Sequence, residues 1–314
     1  MTDSPELAEL HALGIDLGNP TAVLRYILTL TDAARTNEDI FTARSHPMTS
    51  NRIFGGQVLA QAVLAASRTV AEDRPIHSMH GYFLRPGDTR EALTLAVDRI
   101  HDGRSFSTRR TQVYQNAAPI LSMIASYQQP SGGVEHAAPM PEGLPSPDEL
   151  KPLEDSLVGP FQRLRPLLAA RPIDVRHIGG HLFGPPVEEE SEASEPHAAW
   201  MRTRGPIEDD PVVHAAVLAY MSDLTVQDAV MRAHTLSWGM PTVKVASLDA
   251  AMWWHRPARA DEWLLYVSSS PSAQGGRGLS LGRIYAADGT LVASTTQEIM
   301  VRVKTDAGAE ASSR

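Results

Sequence analysis

The chain has 314 residues, of which 42% are hydrophobic, so it is long and apolar enough for one large domain or two smaller ones. Its 28 basic and 37 acidic residues leave a net charge of -9, which argues against a nucleic-acid surface because phosphate binding needs clustered basic charge. There is no cysteine, so disulfides, thiolate nucleophiles and cysteine-bound metals are excluded.

The first residues, Met-Thr-Asp-Ser-Pro-Glu, are polar and acidic. A signal peptide would instead begin with basic residues followed by an apolar run. No apolar stretch approaches the roughly 20 residues that a membrane-spanning helix needs. We therefore expect a cytoplasmic protein without a membrane span and without a nucleic-acid partner.

The first half of the chain predicts a buried helix followed by antiparallel strands. A short helix is expected at 21–30 and a first strand at 39–43. The segment 54–67 opens with two glycines and is then apolar almost all round, as is typical of a buried helix. Strand patterns follow at 77–84, 92–100, 106–114 and 120–128, with turn sequences between them.

The middle of the chain, 131–207, is dense in proline, glycine and acidic residues and predicts a linker. Two pieces of it, 164–170 and 200–204, are expected to be ordered, the second as a strand. The dipeptide Asp210-Pro211 then marks a helix start, with a long helix expected at 212–233.

Strands are predicted after this helix at 243–254, 263–269, 279–285 and 291–303. The dipeptide Asp288-Gly289 between the last two runs is a strong hairpin signal. The tail from 304 is small and polar, and we expect it to be disordered.

The two halves look like copies of one unit. Three pairs of matched positions lie 169–173 residues apart, namely His77 with Ser247, Gly103 with Gly276, and Gln128 with Gln297. A helix followed by an antiparallel sheet, twice, predicts two like domains whose sheets join edge to edge. The expected division is an N-terminal domain at 1–130, the linker at 131–207, a C-terminal domain at 208–303 and the tail at 304–314.

Short segments in both halves carry a family resemblance. They are RIFGGQ at 52–57, YFLRPGD at 82–88, DGRSFS at 102–107, SDL at 222–224, SLD at 247–249, MWWHRP at 252–257, EWLLY at 262–266 and QE at 297–298. With these segments the chain resembles the acyl-CoA thioesterase II family over roughly 52–303, apart from the linker. The resemblance implies an α+β double hotdog fold, in which two tandem repeats each wrap a long central helix in an antiparallel sheet. It also implies hydrolysis of fatty acyl-CoA to fatty acid and coenzyme A, with no metal, no cofactor and no covalent intermediate, in a homo-oligomer.

The family's catalytic trio falls on Asp223, Ser247 and Gln297 in this sequence. On the expected helix Asp223 lies near an apolar stripe, although a helix break at this residue is an alternative. A buried carboxylate needs hydrogen bonds, which Ser247 and Gln297 are able to supply while holding a water. We predict that Asp223 is the general base or orients the water, that the Gln297 amide positions the water, and that the Ser247 hydroxyl relays a proton or orients the water.

Three further residues are candidates for substrate binding. Gly55 and Gly56 would let a ligand approach the backbone N–H groups at a helix start, as an oxyanion requires. Tight helix packing explains the same two glycines equally well. His77 precedes an aromatic strand and is a candidate for lining the site, with a packed core histidine as the favoured alternative.

Two other functions are open. A hotdog enoyl-CoA hydratase would need an aspartate and a histidine as an acid–base pair, and no histidine follows Asp223 within five residues. A non-catalytic acyl-CoA-binding protein would keep the fold without needing the trio.

Overall fold

The computed structural model describes residues 5–32, 39–48, 50–184 and 197–304. Within these ranges the α-helices are α1 (Pro5–Ala12), α2 (Ala22–Leu28), α3 (Gly55–Ser67), α4 (Leu153–Ser156), α5 (Arg165–Ala169), α6 (Pro211–Ser222) and α7 (Asp228–Arg232), and two 3-10 helices lie at Pro147–Glu149 and Gly159–Leu164. The strands are β1 (Thr31–Asp32), β2 (Ile40–Ala43), β3 (Ile76–Phe83), β4 (Leu93–Asp102), β5 (Phe106–Gln115), β6 (Ala118–Gln128), β7 (Ile173–Ile178), β8 (His197–Thr203), β9 (Val243–Ser247), β10 (Asp249–Trp254), β11 (Leu264–Gln274), β12 (Arg277–Ala286) and β13 (Leu291–Val303).

All the strands of the described ranges belong to one antiparallel sheet. Its order is β1-β2-β4-β5-β6-β3-β10-β13-β12-β11-β8-β7, and β9 also pairs with β13. The first and second halves of the chain meet where β3 pairs with β10, with Met79 opposite Met252. The sheet is therefore continuous across the middle of the molecule.

The predicted buried helix of the first half is α3. Every residue from Gly56 to Ala66 is buried, and the helix contacts β3, β4, β5, β6 and α6. Its alanines present little side-chain volume, so strands and a second helix approach it from several sides. Strand β5 alternates between more and less buried residues along its length, as expected where one face of a sheet covers a core.

The long helix expected at 212–233 is shorter in the structure. It starts as predicted, with the Asp210 carboxylate accepting a hydrogen bond from the Val212 N–H at 2.8 Å. It ends at Ser222, with Asp223 as the C-cap residue at φ -93° and ψ -3°, and α7 follows after a short turn. The helix break considered for Asp223 is therefore present.

The strand expected at 243–254 is divided at Leu248. Strand β9 pairs with the end of β13, and β10 pairs with the earlier part of β13 and with β3. Between them the Leu248 N–H donates to the Glu298 carbonyl at 2.9 Å, and the Leu248 carbonyl accepts from the Phe83 N–H at 2.9 Å. The offset between β9 and β10 brings the end of β9 beside the middle of β13.

The segment expected to be a linker supplies two strands of the sheet. Strand β8 pairs with β11, and β7 pairs with β8. Trp200 of β8 is buried with Leu265 and Tyr285, and apolar residues from 140–150 pack against this cluster. The strand expected at 200–204 is confirmed as part of β8, whereas β7 was not predicted from the sequence.

The tail that was predicted to be disordered lies outside the described residues beyond 304. In the part of the chain that the structure describes, no helix is long and apolar enough to cross a membrane.

Candidate active site

Asp223 lies at the end of α6 with its carboxylate inside the protein. Only 4% of the residue is exposed. One oxygen, Oδ2, accepts a hydrogen bond from the Gly56 N–H at 2.8 Å. The other, Oδ1, accepts from the Ser247 hydroxyl at 3.1 Å and from the Gln297 amide at 2.7 Å. The three predicted trio residues are therefore in direct contact.

The trio comes from three separate elements. Asp223 follows α6, Ser247 ends β9 and Gln297 lies in the middle of β13. The Gln297 amide nitrogen also donates to the Ser247 hydroxyl at 2.6 Å. The step between β9 and β10 at Leu248 is what allows Ser247 to reach the buried face of β13.

Gln227 is a fourth polar contact that the sequence analysis missed. Its amide donates to the Ser247 hydroxyl at 3.2 Å. The residue lies just before α7, in the turn created by the helix break at Asp223. Nothing in the local pattern marks this glutamine, because it is close to Ser247 only when the chain reverses between α6 and α7.

Three donors of the cluster, the Gly56 N–H, the Ser247 hydroxyl and the Gln297 amide, point toward one carboxylate. A serine hydroxyl has one hydrogen to donate and two lone pairs. Ser247 uses both lone pairs to accept from Gln227 and Gln297, so its single hydrogen faces Asp223. This direction of donation leaves Asp223 as the proton acceptor of the group.

Burial raises the pKa of the Asp223 carboxyl above its usual value of 3.8. The hydrogen bonds from Gln297, Ser247 and Gly56 oppose this shift because they favour the charged carboxylate. A carboxylate with a raised pKa is a stronger base than one in water, and it is held in a fixed orientation. The arrangement is chemically suited to taking a proton from a water next to the trio.

The paired glycines at the start of α3 adjoin the trio. A Cβ atom on Gly55 would lie 2.6 Å from Oδ2 of Asp223, and one on Gly56 would collide with the Tyr220 carbonyl oxygen. Tight packing of α3 against the end of α6 therefore accounts for both glycines. The Gly56 N–H is already bonded to Asp223, so it is not free to bind a substrate oxygen in this arrangement.

His77 is not brought to the trio. It lies at the start of β3, where its ring nitrogen Nε2 is 2.8 Å from the Ser126 hydroxyl. The end of β3 that meets Leu248 is six residues away, which is about 20 Å along a strand. Among the hydrogen bonds of the described residues, no histidine is a partner of Asp223, as an aspartate–histidine hydratase pair would need.

Family models match both halves of the chain. Residues 42–128 match an acyl-CoA thioesterase N-terminal domain, and residues 141–301 match an acyl-CoA thioesterase C-terminal domain. The human acyl-coenzyme A thioesterase 8 is 35% identical over 305 residues, covering 92% of this chain and 93% of its own.

Solved structures agree with these matches. The acyl-CoA thioesterase II TesB2 of Mycobacterium marinum has a TM-score of 0.71 at 38% identity, covering 90% of this chain and 98% of its own. A hot dog protein of unknown function from Alicyclobacillus acidocaldarius has a TM-score of 0.69 at 17% identity, covering 89% and 98%. The large antiparallel sheet and these neighbours together identify a hotdog fold.

Proposed function

The chain belongs to the acyl-CoA thioesterase II family, and we propose that it hydrolyses its substrate with a water held and activated by Asp223, Ser247 and Gln297. Hydrolysis of an acyl-CoA thioester is the activity that the family membership gives. The observation that supports the trio is one buried carboxylate that receives hydrogen bonds from a hydroxyl and an amide of two distant strands.

In the proposed reaction the water oxygen attacks the thioester carbonyl carbon while Asp223 takes one of its protons. Gln297 has no proton to accept at neutral pH, so it acts by position, donating to Asp223 and Ser247. Ser247 orients the carboxylate through its hydroxyl. When the tetrahedral intermediate collapses, the carbon–sulfur bond breaks, and the coenzyme A thiolate leaves and takes up a proton from Asp223.

A single-turnover experiment in ¹⁸O-labelled water tests the role of Asp223. With enzyme in excess over acyl-CoA, direct attack by water puts the label into the released acid and none into the protein. If Asp223 were instead a nucleophile, an acyl–aspartyl anhydride would form, and water that opens it at the aspartyl carbonyl would put the label into the peptide that contains Asp223. Mass spectrometry of the acid and of the digested protein locates the label, and mass measurement of the quenched protein detects any acyl group on Asp223 or Ser247.

The pH profile should report the raised pKa of Asp223. The acid limb of kcat/KM follows the base in the free enzyme, so activity should fall, as pH decreases, at a midpoint above pH 3.8. The Gln297 hydrogen bond lowers this pKa, so the Gln297→Met variant should move the midpoint to higher pH. A midpoint that stays in place or moves down in this variant would contradict the assignment, provided that circular dichroism shows both proteins folded over the range.

We further propose that the chain is a double hotdog with two tandem repeats. In each half a strand precedes the buried helix, β2 before α3 and β8 before α6. The sheet order reads β2-β4-β5-β6-β3 on one side and β8-β11-β12-β13-β10 on the other, so the two orders mirror each other about the central pair. On this proposal the second repeat starts at β8, earlier than the boundary at 208 expected from the sequence.

The acyl group is proposed to be a fatty chain. A pocket beside α6 is lined by apolar residues that include Leu168, Ile173 and Leu224, together with the charged residues Glu154, Arg171 and Arg204, and Leu224 directly follows Asp223. We also propose that the chain forms a homo-oligomer, because the large apolar side chains of Tyr82, Ile124 and Leu281 are exposed on strands of the sheet.

A further inference from the structure

Two histidines and an aspartate meet at the N-terminal end of α7, and none of them is in direct contact with the trio. His177 lies on β7, His197 begins the neighbouring strand β8, and Asp228 is the first residue of α7. The side chains are almost fully enclosed, with exposed fractions of 5% or less. Among the described residues this is the one group of three histidine or acidic side chains whose ligand atoms converge as a metal site requires.

The distances between the facing atoms match those between the ligands of a small divalent ion. Nδ1 of His177 is 3.3 Å from Nε2 of His197. Oδ2 of Asp228 is 3.3 Å from the same Nε2 and 3.8 Å from the same Nδ1. A triangle with these sides has a circumscribed radius of about 2.0 Å, and zinc binds nitrogen and oxygen ligands at about 2.0–2.2 Å.

Hydrogen bonding alone does not satisfy these three atoms well. A neutral imidazole carries one N–H. If both histidines point that N–H into the cluster, two hydrogens face each other across 3.3 Å between the ring nitrogens. If only His197 does, the lone pairs of His177 Nδ1 and the carboxylate face each other at 3.8 Å. If only His177 does, the lone pairs of His197 Nε2 and the carboxylate face each other at 3.3 Å. A cation between them would use every lone pair.

Little else holds the two rings in place. Within the described ranges, His197 has its hydrogen-bonding contacts inside the cluster, and its second nitrogen, Nδ1, is buried without a partner.

We propose that His177, His197 and Asp228 bind one divalent transition-metal ion, of which Zn²⁺ is the test case. Two imidazoles and one carboxylate are a ligand set that such ions favour. The ion would link α7 to the strands β7 and β8. Because Gln227 directly precedes Asp228 and donates to Ser247, the ion would also fix the turn that positions this glutamine. Its role is structural, with no part in the hydrolytic step.

The test is metal binding by the full chain without an affinity tag. The chain is stripped with a chelator, dialysed, and titrated with Zn²⁺ and separately with Co²⁺. Bound zinc is measured by elemental analysis, Co²⁺ coordination by its visible absorption bands, and stability by thermal unfolding. We expect about one ion per chain, cobalt bands typical of nitrogen and oxygen ligands, and a higher Tm with metal because a ligand of the native state stabilises it.

The variants His177→Gln, His197→Gln and Asp228→Asn should each bind at least about tenfold more weakly, since even residues that only orient a metal ligand change affinity about 10–100-fold. His181→Gln is the matched control. This histidine lies near His177, but its ring nitrogens make hydrogen-bond contacts with the backbone of Ser156 and Phe183 instead. The His181→Gln variant should therefore bind metal as tightly as the parent chain does. The proposal is overturned if the parent chain binds no zinc, or if the three ligand variants bind it as tightly as the His181 variant. Either result leaves the trio proposal intact, since the ¹⁸O experiment tests that separately.

Discussion

We expect the Asp223→Ala variant to lose at least about 10²–10⁴-fold in kcat, the range over which general-base assistance contributes. The variant removes the proposed base and leaves the Gly56 N–H, the Ser247 hydroxyl and the Gln297 amide without their shared acceptor. The measurement is release of coenzyme A thiol from acyl-CoA at saturating substrate. Circular dichroism on the same samples establishes that the variant is folded.

The Asp223→Asn variant separates loss of charge from loss of shape. An asparagine fills the same space and keeps one acceptor oxygen, but it cannot take a proton from water. We expect its kcat to fall into the same range as that of the alanine variant. Asp261→Asn is the matched control, because Asp261 is also an enclosed carboxylate, bonded to Arg259 and the Ile207 N–H. Wild-type turnover by either Asp223 variant would end the proposal that this residue is the base.

The secondary structure of the two halves was largely predictable because the patterns are local. Alternating residues and the Asp288-Gly289 turn predicted the final hairpin, which the structure has as β12 and β13. The Ala-rich segment after Gly56 predicted a buried helix, which is α3. These signals depend only on neighbours in sequence, since side chains alternate along a strand and repeat along a helix.

The parts that depend on contacts between distant segments were not predictable in this way. Within the expected linker a strand was predicted at 200–204, in β8, but β7 was not, because it is stabilised by pairing with β8, which itself pairs with β11. The end of α6 is set by the partners of Asp223, which come from α3 and two strands. Residues of the trio were predicted through a family resemblance, and Gln227, which lacks such a signal, was missed.

The other large effect is expected for Gly56→Ala, at the contact between α3 and α6. A methyl group there would overlap the Tyr220 carbonyl oxygen and the Phe54 ring. A backbone oxygen cannot rotate away, so the two helices must separate. Overpacking of this kind lowers the free energy of unfolding by roughly 1–3 kcal/mol, and the gain of up to about 1 kcal/mol that alanine brings over glycine inside a helix offsets part of that loss. Chemical denaturation measures the loss, and Gly132→Ala, at an exposed position with open space around it, is the control.

The same variant should also reduce turnover, because the Gly56 N–H that bonds Asp223 moves with the start of α3. Gly55→Ala offers a comparison, since its methyl group would press on the Asp223 carboxylate at 2.6 Å and on the Phe83 ring at 3.1 Å, and both side chains have some freedom to shift. We therefore expect Gly55→Ala to reduce kcat with a smaller loss of stability than Gly56→Ala. If the two variants lost activity only in proportion to their loss of stability, the first turn of α3 would support the fold without orienting the carboxylate. If Gly55→Ala lost more kcat than its loss of stability accounts for, the position of the base would depend on backbone supplied by the other half of the chain.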